Sequence, residues 1–158
     1  MVAQDRQAAP RGRVRGAGSI EDLIQRNGGI EVEQRIEASP DTVFEYLIDP
    51  RRFVLWMGAR AELDPRLGGK FRIDVDGVHI ASGEYREIDP PHRLVMTWGW
   101  ESDPEVPPGS TIVEITLLPD GAHTLLRLRH TGLPTDGQRR NHRAGWEMYT
   151  GKLAAVLA

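Results

Sequence analysis

The last stretch of the chain has the residue pattern of one amphipathic helix. Wound at about 3.6 residues per turn, the segment from about 136 to 157 brings one set of side chains onto a single stripe, namely His142, Gly145, Trp146, Tyr149, Leu153, Val156 and Leu157. A helix has to bury such a stripe against another layer of structure. Because the stripe mixes histidine and aromatic residues with aliphatic ones, we expect a partly open, partly polar space where the helix meets that layer.

The segments before this helix alternate apolar and polar residues, which is the pattern of half-buried strands. Residues 30–36 form the first such strand. Two short helices are predicted to begin at Ser39-Pro40 and Asp49-Pro50, where a capping side chain precedes a proline, and the second is predicted to run through Trp56. About six further strands, separated by short turns rich in glycine and proline, are predicted within residues 59–131.

Short turns join neighbouring strands only when these strands are antiparallel, and a sheet of this length has to twist and curl. The sequence therefore predicts an α+β fold, in which a curled antiparallel sheet of about six or seven strands surrounds a long C-terminal helix and two short helices follow the first strand. Since residues 1–18 contain almost no large apolar side chain, we expect a flexible basic arm there, followed by a short helix and turn over residues 19–29 and by one folded domain over residues 30–158.

Composition excludes several classes of function. The chain of 158 residues carries a net charge of −3, whereas a general nucleic-acid-binding domain is strongly basic. The absence of cysteine excludes disulfides, thiolate catalysis and cysteine metal sites. The apolar runs are far shorter than the ~20 residues of a membrane helix, and the N-terminus lacks the apolar segment of a secretory signal. We therefore expect a cytoplasmic protein with neither a nucleic-acid nor a membrane partner.

Five segments, taken in order, carry a family likeness. They are Ser39-Pro40 with Leu55-Trp56, Gly68-Gly69-Lys70-Phe71, Gly83-Glu84-Tyr85 with Thr97-Trp98, Leu128-Arg129-His130-Thr131-Gly132-Leu133, and His142 with Gly145-Trp146. The opening resembles the helix-grip proteins of the START/SRPBCC superfamily, and the whole set resembles the homologues of the activator of heat-shock-protein-90 ATPase. The resemblance covers residues 30–157. It implies a helix-grip fold with a hydrophobic cavity, and it implies no shared catalytic residue.

The predicted cavity lies between the sheet and the C-terminal helix. We expect it to be lined by apolar and polar residues of both, namely Trp56, Met57, Phe71, Ile73, Ile80, Met96, Trp98, Trp100, Leu128, His130, His142, Trp146 and Tyr149. His142 and Trp146 are four apart and face the same way, so His142 is a candidate for hydrogen bonding or proton transfer to a ligand. In the alternative interpretation Trp146 belongs to the core and His142 is a satisfied histidine. Gly145 lowers helix propensity, and we expect it to mark a close approach to the sheet.

The sequence predicts a protein that binds a small hydrophobic or amphipathic molecule, with its body on Trp98 and Trp146 and its polar atom toward His130 or His142. We predict no metal site, no cofactor and no catalytic residue, since the histidines lack ligand spacing and no catalytic motif occurs. Two alternatives stay open. One is an enzyme acting on a polyketide-like or aromatic ligand through His130 with His142 or Tyr149. The other is an interaction protein that modulates a chaperone ATPase. The chain is compatible with a monomer or a homodimer.

Overall fold

The computed structural model of this protein describes residues 29–158. The flexible arm predicted for residues 1–18 lies outside the described residues, and so does the helix predicted within residues 19–29.

Strands and helices follow one another in the predicted order, with two short helices after the first strand and one long helix at the end. They are β1 (Ile30–Ile36), α1 (Pro40–Ile48), α2 (Pro50–Phe53), β2 (Arg60–Leu63), β3 (Lys70–Asp74), β4 (Ile80–Asp89), β5 (Arg93–Trp100), β6 (Thr111–Asp120), β7 (His123–Thr131) and α3 (Asp136–Val156).

The seven strands form one antiparallel sheet in the order β1-β7-β6-β5-β4-β3-β2. From β2 to β7 each strand pairs with the next one along the chain, while β1 joins the sheet beside β7, with Ile30 opposite His130 and Ile36 opposite Thr124. A register shift between Tyr85 and Glu87 marks a bulge in β4, and bulges bend a strand and increase its twist. The predicted α+β fold, with a curled antiparallel sheet and a long C-terminal helix, is confirmed.

The two short helices begin where the sequence predicted. The Ser39 side chain accepts a hydrogen bond from the backbone N–H of Thr42 at the start of α1, and a proline occupies the first turn. The Asp49 carboxylate does the same for the N–H of Arg51 at the start of α2, at 2.9 Å. Such caps satisfy backbone donors that have no partner inside the helix.

The end of α2 differs from the prediction. The helix ends at Phe53 and does not run through Trp56. The chain continues as a turn in which the N–H of Trp56 bonds to the carbonyl of Phe53, and this tighter winding leaves Leu55 57% exposed while burying Trp56. The Trp56 indole then donates to the carbonyl of Tyr46 at 2.8 Å, which fastens the turn to α1.

The long helix α3 begins with Thr135 as its N-cap, whose hydroxyl accepts the N–H of Gln138 at 3.0 Å. Its buried residues recur at the spacing of one helix face, and they are His142, Trp146, Thr150 and Leu153. This face packs against the sheet, as the stripe predicted.

Two positions near the end of α3 differ from the predicted stripe. Val156 is 41% exposed, so its assignment to the buried face was wrong. Thr150 is buried in spite of its polar side chain, because its hydroxyl donates to the carbonyl of Trp146 at 2.7 Å and so keeps a hydrogen bond away from water.

The other face of the sheet is charged. Arg127 pairs with Glu33 at 2.8 Å and Arg129 pairs with Glu31 at 3.0 Å, both across the β1–β7 pair. These arginines alternate with buried residues of β7, as the sequence predicted. One face is therefore left for α3 and the core, and α3 packs chiefly along β1. No helix among residues 29–158 is long and apolar enough to cross a membrane.

We predict that Leu153→Ala lowers the free energy of unfolding by about 2–5 kcal/mol, because Leu153 is completely buried between α3 and the sheet and truncation leaves a cavity. Leu55→Ala is the matched control, since the same side chain is exposed there and its loss should change stability by less than about 0.5 kcal/mol. Urea unfolding followed by circular dichroism measures both. Equal effects of the two substitutions would contradict the placement of α3.

Candidate functional site

A cleft of about 440 Å³ opens between α3, the end of β5 and the turn that joins β3 to β4. We call this space the cleft, and it is lined by Met57, Val75, Asp76, His79, Trp98, Trp100, Ser102, Asp103, Asn141, His142, Gly145, Trp146, Met148 and Tyr149. Three tryptophans and a tyrosine form much of its wall, and its charged groups lie on the β3–β4 turn and on the loop after β5.

Three indole rings form the aromatic wall. Trp98 and Trp100 are two apart on β5, so they point to the same side of the strand, and Trp146 meets them from α3. The ring centroids of Trp98 and Trp146 are 5.0 Å apart, and those of Trp98 and Trp100 are 5.7 Å apart with the planes at 89°. These tilted and edge-on arrangements are the ones aromatic pairs prefer. Rigid rings held in this way offer a flat apolar ligand a preformed surface.

His142 uses both ring nitrogens within the protein. Its Nδ1 lies 2.7 Å from the carbonyl oxygen of Gln138, and its Nε2 accepts the indole N–H of Trp100 at 2.9 Å. Because a carbonyl can only accept, Nδ1 must carry the proton and Nε2 the lone pair. His142 therefore links α3 to β5 in one defined tautomer.

His130 is bonded in the same way deeper in the core. Its Nδ1 accepts the indole N–H of Trp146 at 3.0 Å, and its Nε2 lies 2.8 Å from the hydroxyl of Thr111. That hydroxyl donates to the carbonyl of Trp98 at 2.7 Å, so it accepts from His130, whose Nε2 carries the proton. In this buried series of hydrogen bonds, from the Trp146 indole through His130 and Thr111 to the Trp98 carbonyl, every donated hydrogen has an acceptor.

Both histidines are held neutral. Burial lowers the pKa of His130 well below its usual value, and neighbouring His142 lowers it further. Burial also lowers the pKa of His142, although its bond to the Gln138 carbonyl acts in the opposite direction. Protonation would place a second N–H against the indole N–H that each ring now accepts. The two rings are 5.0 Å apart edge to face, and in this structure neither presents a free lone pair to the cleft.

The third indole nitrogen of the aromatic wall, that of Trp98, has no partner among residues 29–158. Trp98 is 1% exposed, and its Nε1 is shielded from solvent and has no hydrogen-bond acceptor among residues 29–158. The other three indoles are all paired, with the Tyr46 carbonyl, His142 and His130. A buried polar group without a partner is rare in folded proteins and calls for a specific explanation.

The charged side of the cleft is acidic. The Asp76 carboxylate accepts backbone N–H groups of Val78 and His79 and lies 2.6 Å from Nδ1 of His79, and these bonds, those to His79 first, lower the pKa of Asp76 to about 2. Asp103 accepts the N–H of Glu105 at 2.9 Å. The lining contains neither lysine nor arginine. Burial, helped by the charge of Asp76, raises the pKa of Tyr149 at the same rim.

The structure separates the residues predicted to line a cavity into two groups. Those that line the cleft are Met57, Trp98, Trp100, His142, Trp146 and Tyr149. Those that do not are the half-buried Ile80 of β4 and six buried residues, namely Trp56, Phe71, Ile73, Met96, Leu128 and His130. Contact of either group with a ligand stays a prediction.

Sequence reasoning missed the acidic rim and misjudged one glycine. The Asp76-Gly77 pair predicted a turn, and the structure has a turn there. The sequence did not indicate that Asp76 and His79 of this turn line the cleft. A Cβ built at Gly145 meets no other atom within 4 Å, so the expected close approach to the sheet was wrong. Gly145 instead leaves open space in the cleft. Among residues 29–158, no group of three or more His, Asp, Glu or Cys side chains is arranged to hold a metal ion.

Comparison with known proteins shows which family this chain resembles. Residues 37–158 match the family model described as "Activator of Hsp90 ATPase homolog 1-like protein". A human protein, the activator of 90 kDa heat shock protein ATPase homolog 1, is 28% identical over 120 residues, which is 76% of this chain and 34% of the human protein. The chain therefore spans about a third of the length of this curated relative.

The solved structures that are similar over 82% of this chain include the following two. An AHSA1-like protein of Rhizobium etli is 42% identical, with a TM-score of 0.68 and 81% of its own chain covered. DynU16, a protein in the dynemicin biosynthetic locus, is 25% identical, with a TM-score of 0.73 and 46% of its chain covered.

We predict that the protein loses stability as the pH falls from about 7.5 to about 5.5, because burial lowers the pKa of His130 and of His142 in the folded state while histidine in the unfolded chain titrates near ~6.5. Below that pH the unfolded state binds more protons, so the free energy of unfolding decreases, by up to about 1.4 kcal/mol per pH unit for each histidine. Urea unfolding at a series of pH values measures this slope.

The variant His142→Gln should flatten the pH dependence, since glutamine does not titrate but can still accept from Trp100. His92→Gln is the control, because His92 is an exposed residue of the turn after β4 and its loss should leave the slope as it is. An unchanged slope in His142→Gln would show that His142 is not the titrating group.

Proposed function

We propose, from the premise that this chain belongs to the family of Activator of Hsp90 ATPase homolog 1-like proteins, that its domain binds a small and largely apolar molecule in the cleft. The family membership supplies the fold, while the proposal concerns what this chain's own cleft holds.

The observation that carries the proposal is the open space itself, at a place where a helix crosses a sheet. Its volume of about 440 Å³ lies in the range of small-molecule pockets, about 300–1,000 Å³. Aromatic rings of Trp98, Trp100 and Trp146 form one wall, and a few polar groups stand at the rim, which is the usual composition of a ligand site.

The placement of Gly145 supports the same proposal. A glycine inside a helix destabilises it by about 1 kcal/mol relative to alanine. Space for a side chain is available at this position, because an added Cβ meets nothing within 4 Å. The absence of a side chain therefore keeps part of the cleft open between Trp146 and the rim. Similarity to DynU16, a protein in a biosynthetic locus, also favours a small-molecule role.

The state of His130 and His142, the two histidines that the sequence offered as catalytic candidates, favours binding over catalysis. A general base needs a lone pair that reaches the substrate. In His142 that lone pair accepts the Trp100 indole, and in His130 it accepts the Trp146 indole. Tyr149 has a raised pKa and stays protonated, so it is not a base either. The histidines serve to hold the aromatic wall in place.

We predict that Gly145→Leu weakens ligand binding without unfolding the protein. The new side chain enters the cleft, and the substitution replaces a helix-destabilising glycine. Prodan, a neutral naphthyl ketone whose emission shifts to the blue in apolar surroundings, is the probe. Wild-type protein should shift its emission, and the variant should weaken its binding by at least about tenfold, a change of ~1.4 kcal/mol.

Gly151→Leu is the matched control. It lies in the same helix, and a Cβ there also meets nothing within 4 Å, but it does not line the cleft. It should bind the probe as the wild type does. In native mass spectrometry of freshly purified protein, a natural ligand that stays bound should appear as an extra mass in the wild type and in Gly151→Leu only. If prodan binds Gly145→Leu as tightly as it binds the wild type, the cleft is not the site.

The similarity to the human activator favours a second candidate, a protein that stimulates the ATPase of an Hsp90-type chaperone. Since such an effect would use the surface of the domain and not its cleft, Gly145→Leu should stimulate the chaperone as well as the wild type does. Steady-state ATP hydrolysis by a bacterial Hsp90, with and without each variant, measures this. No stimulation by the wild type would remove this candidate and leave the binding proposal intact.

A further inference from the structure

We propose that the cleft selects a neutral molecule whose buried end is a carbonyl-type oxygen, that the indole N–H of Trp98 donates to this oxygen, and that carboxylates are excluded. The inference rests on the proposed function, since it names the class of ligand that the same cleft would take.

The indole N–H of Trp98 is an unpaired donor within the described residues. Trp98, Trp100 and Trp146 stand together in one wall, and the latter two donate to histidines of the protein. Trp98 Nε1 alone has no acceptor in the described residues and no access to water. A donor in this state carries the full penalty of desolvation. An acceptor atom on a ligand would remove that penalty, so binding gains more from such a ligand than from a hydrocarbon of the same shape.

His130 and His142 offer the ligand no competing donor. The sequence suggested that a ligand's polar atom would point to His130 or His142. In both residues the N–H is already donated, to Thr111 and to Gln138, and the lone pair already accepts an indole. Trp98 is thus the one nitrogen of this His–Trp cluster whose hydrogen is not used.

The lining of the cleft carries acidic side chains and no lysine or arginine. Asp76 and Asp103 line the cleft, and no lysine or arginine among the lining residues could neutralise an anion. The carboxylate of Asp76 is fixed in its ionised form by the N–H groups around it. A ligand carboxylate would lose its hydration in the cleft and find no lysine or arginine there, and His79 already pairs with Asp76. A ketone, ester or amide oxygen carries no charge that needs such a partner.

The Trp98 nitrogen is covered by other side chains in this structure, which limits the access of a ligand to it. The Trp98 ring lines the cleft while its nitrogen is covered. A ligand oxygen reaches the nitrogen only by displacing the side chains that cover it, so binding should change the packing around Trp98 as well as its hydrogen bond. This gives the proposal a spectroscopic signature at one identified atom.

Three probes of equal shape test the proposal, 2-acetylnaphthalene, 2-isopropenylnaphthalene and 2-naphthoate. They share the ring and differ only in whether the end is a ketone, a hydrocarbon or a carboxylate. Quenching of tryptophan fluorescence in wild-type protein at neutral pH gives each affinity. We expect the ketone to bind at least about fivefold more tightly than the hydrocarbon, and the carboxylate to bind more weakly than either.

Proton–nitrogen correlation spectra of the indole groups locate the bond. The Trp98 Nε1–H signal should move downfield with the ketone and not with the hydrocarbon. The signal of Trp56 is an internal control, because its N–H is bonded to Tyr46 outside the cleft. Trp98→Phe assigns the Trp98 signal by its loss. Replacing Trp98 with benzothienylalanine keeps the ring shape and removes the N–H, and the ketone's advantage should then disappear.

Each outcome decides a separate point. Binding of the hydrocarbon and the ketone with equal affinity, or a Trp98 signal that does not respond to the ketone, would overturn the inference while leaving the proposed function in place. Tightest binding of 2-naphthoate would overturn the charge argument. Failure of all three probes, together with the failure of prodan, would count against the proposed function itself. The spectra use wild-type protein, so they decide the question even if a Trp98 variant does not fold.

Discussion

Two hydrogen bonds between tryptophan and histidine hold the long helix on the sheet. Trp146 on α3 donates to His130 on β7, and Trp100 on β5 donates to His142 on α3, so helix and sheet each supply one indole and one imidazole. An imidazole can accept an indole N–H only through a lone pair, which ties the position of the helix to the neutral state of both histidines. Towards its C-terminal end the helix packs through Leu153 in the ordinary aliphatic manner. The cleft accordingly lies beside the tryptophans and His142 and not beside Leu153.

Much of this arrangement could be predicted from the sequence, because it depends on local periodicity. Alternation along β5 places Trp98 and Trp100 on the same side, and the helical repeat places His142 and Trp146 on the same face. Neither inference needs the distance between strand and helix. Both sets of side chains are therefore expected to face the layer between the helix and the sheet. The family resemblance added the topology and no site chemistry.

The rest could not be predicted, because it depends on which residues face each other across long stretches of chain. Asp76 and Asp103 belong to connections whose course is set by the curl of the sheet, and sequence spacing contains no measure of that curl. Met96 shares a strand face with Trp98 but is buried and does not line the cleft, and periodicity along one strand does not distinguish the two positions. Likewise the low helix propensity of Gly145 was visible in the sequence, but only the structure shows that the space beside it is empty.

Two unfavourable features coincide at this cleft, and their coincidence is the strongest argument that it serves a function. A glycine in the interior of α3 costs about 1 kcal/mol relative to alanine, which would fit at Gly145 without a clash. An unpaired indole N–H at Trp98 costs about 1–3 kcal/mol. The only other buried side-chain nitrogen or oxygen without a partner in residues 29–158 is Nδ1 of His123, which does not line the cleft. Selection for stability alone would remove both features. A ligand that fills the space and accepts the hydrogen bond would offset them together.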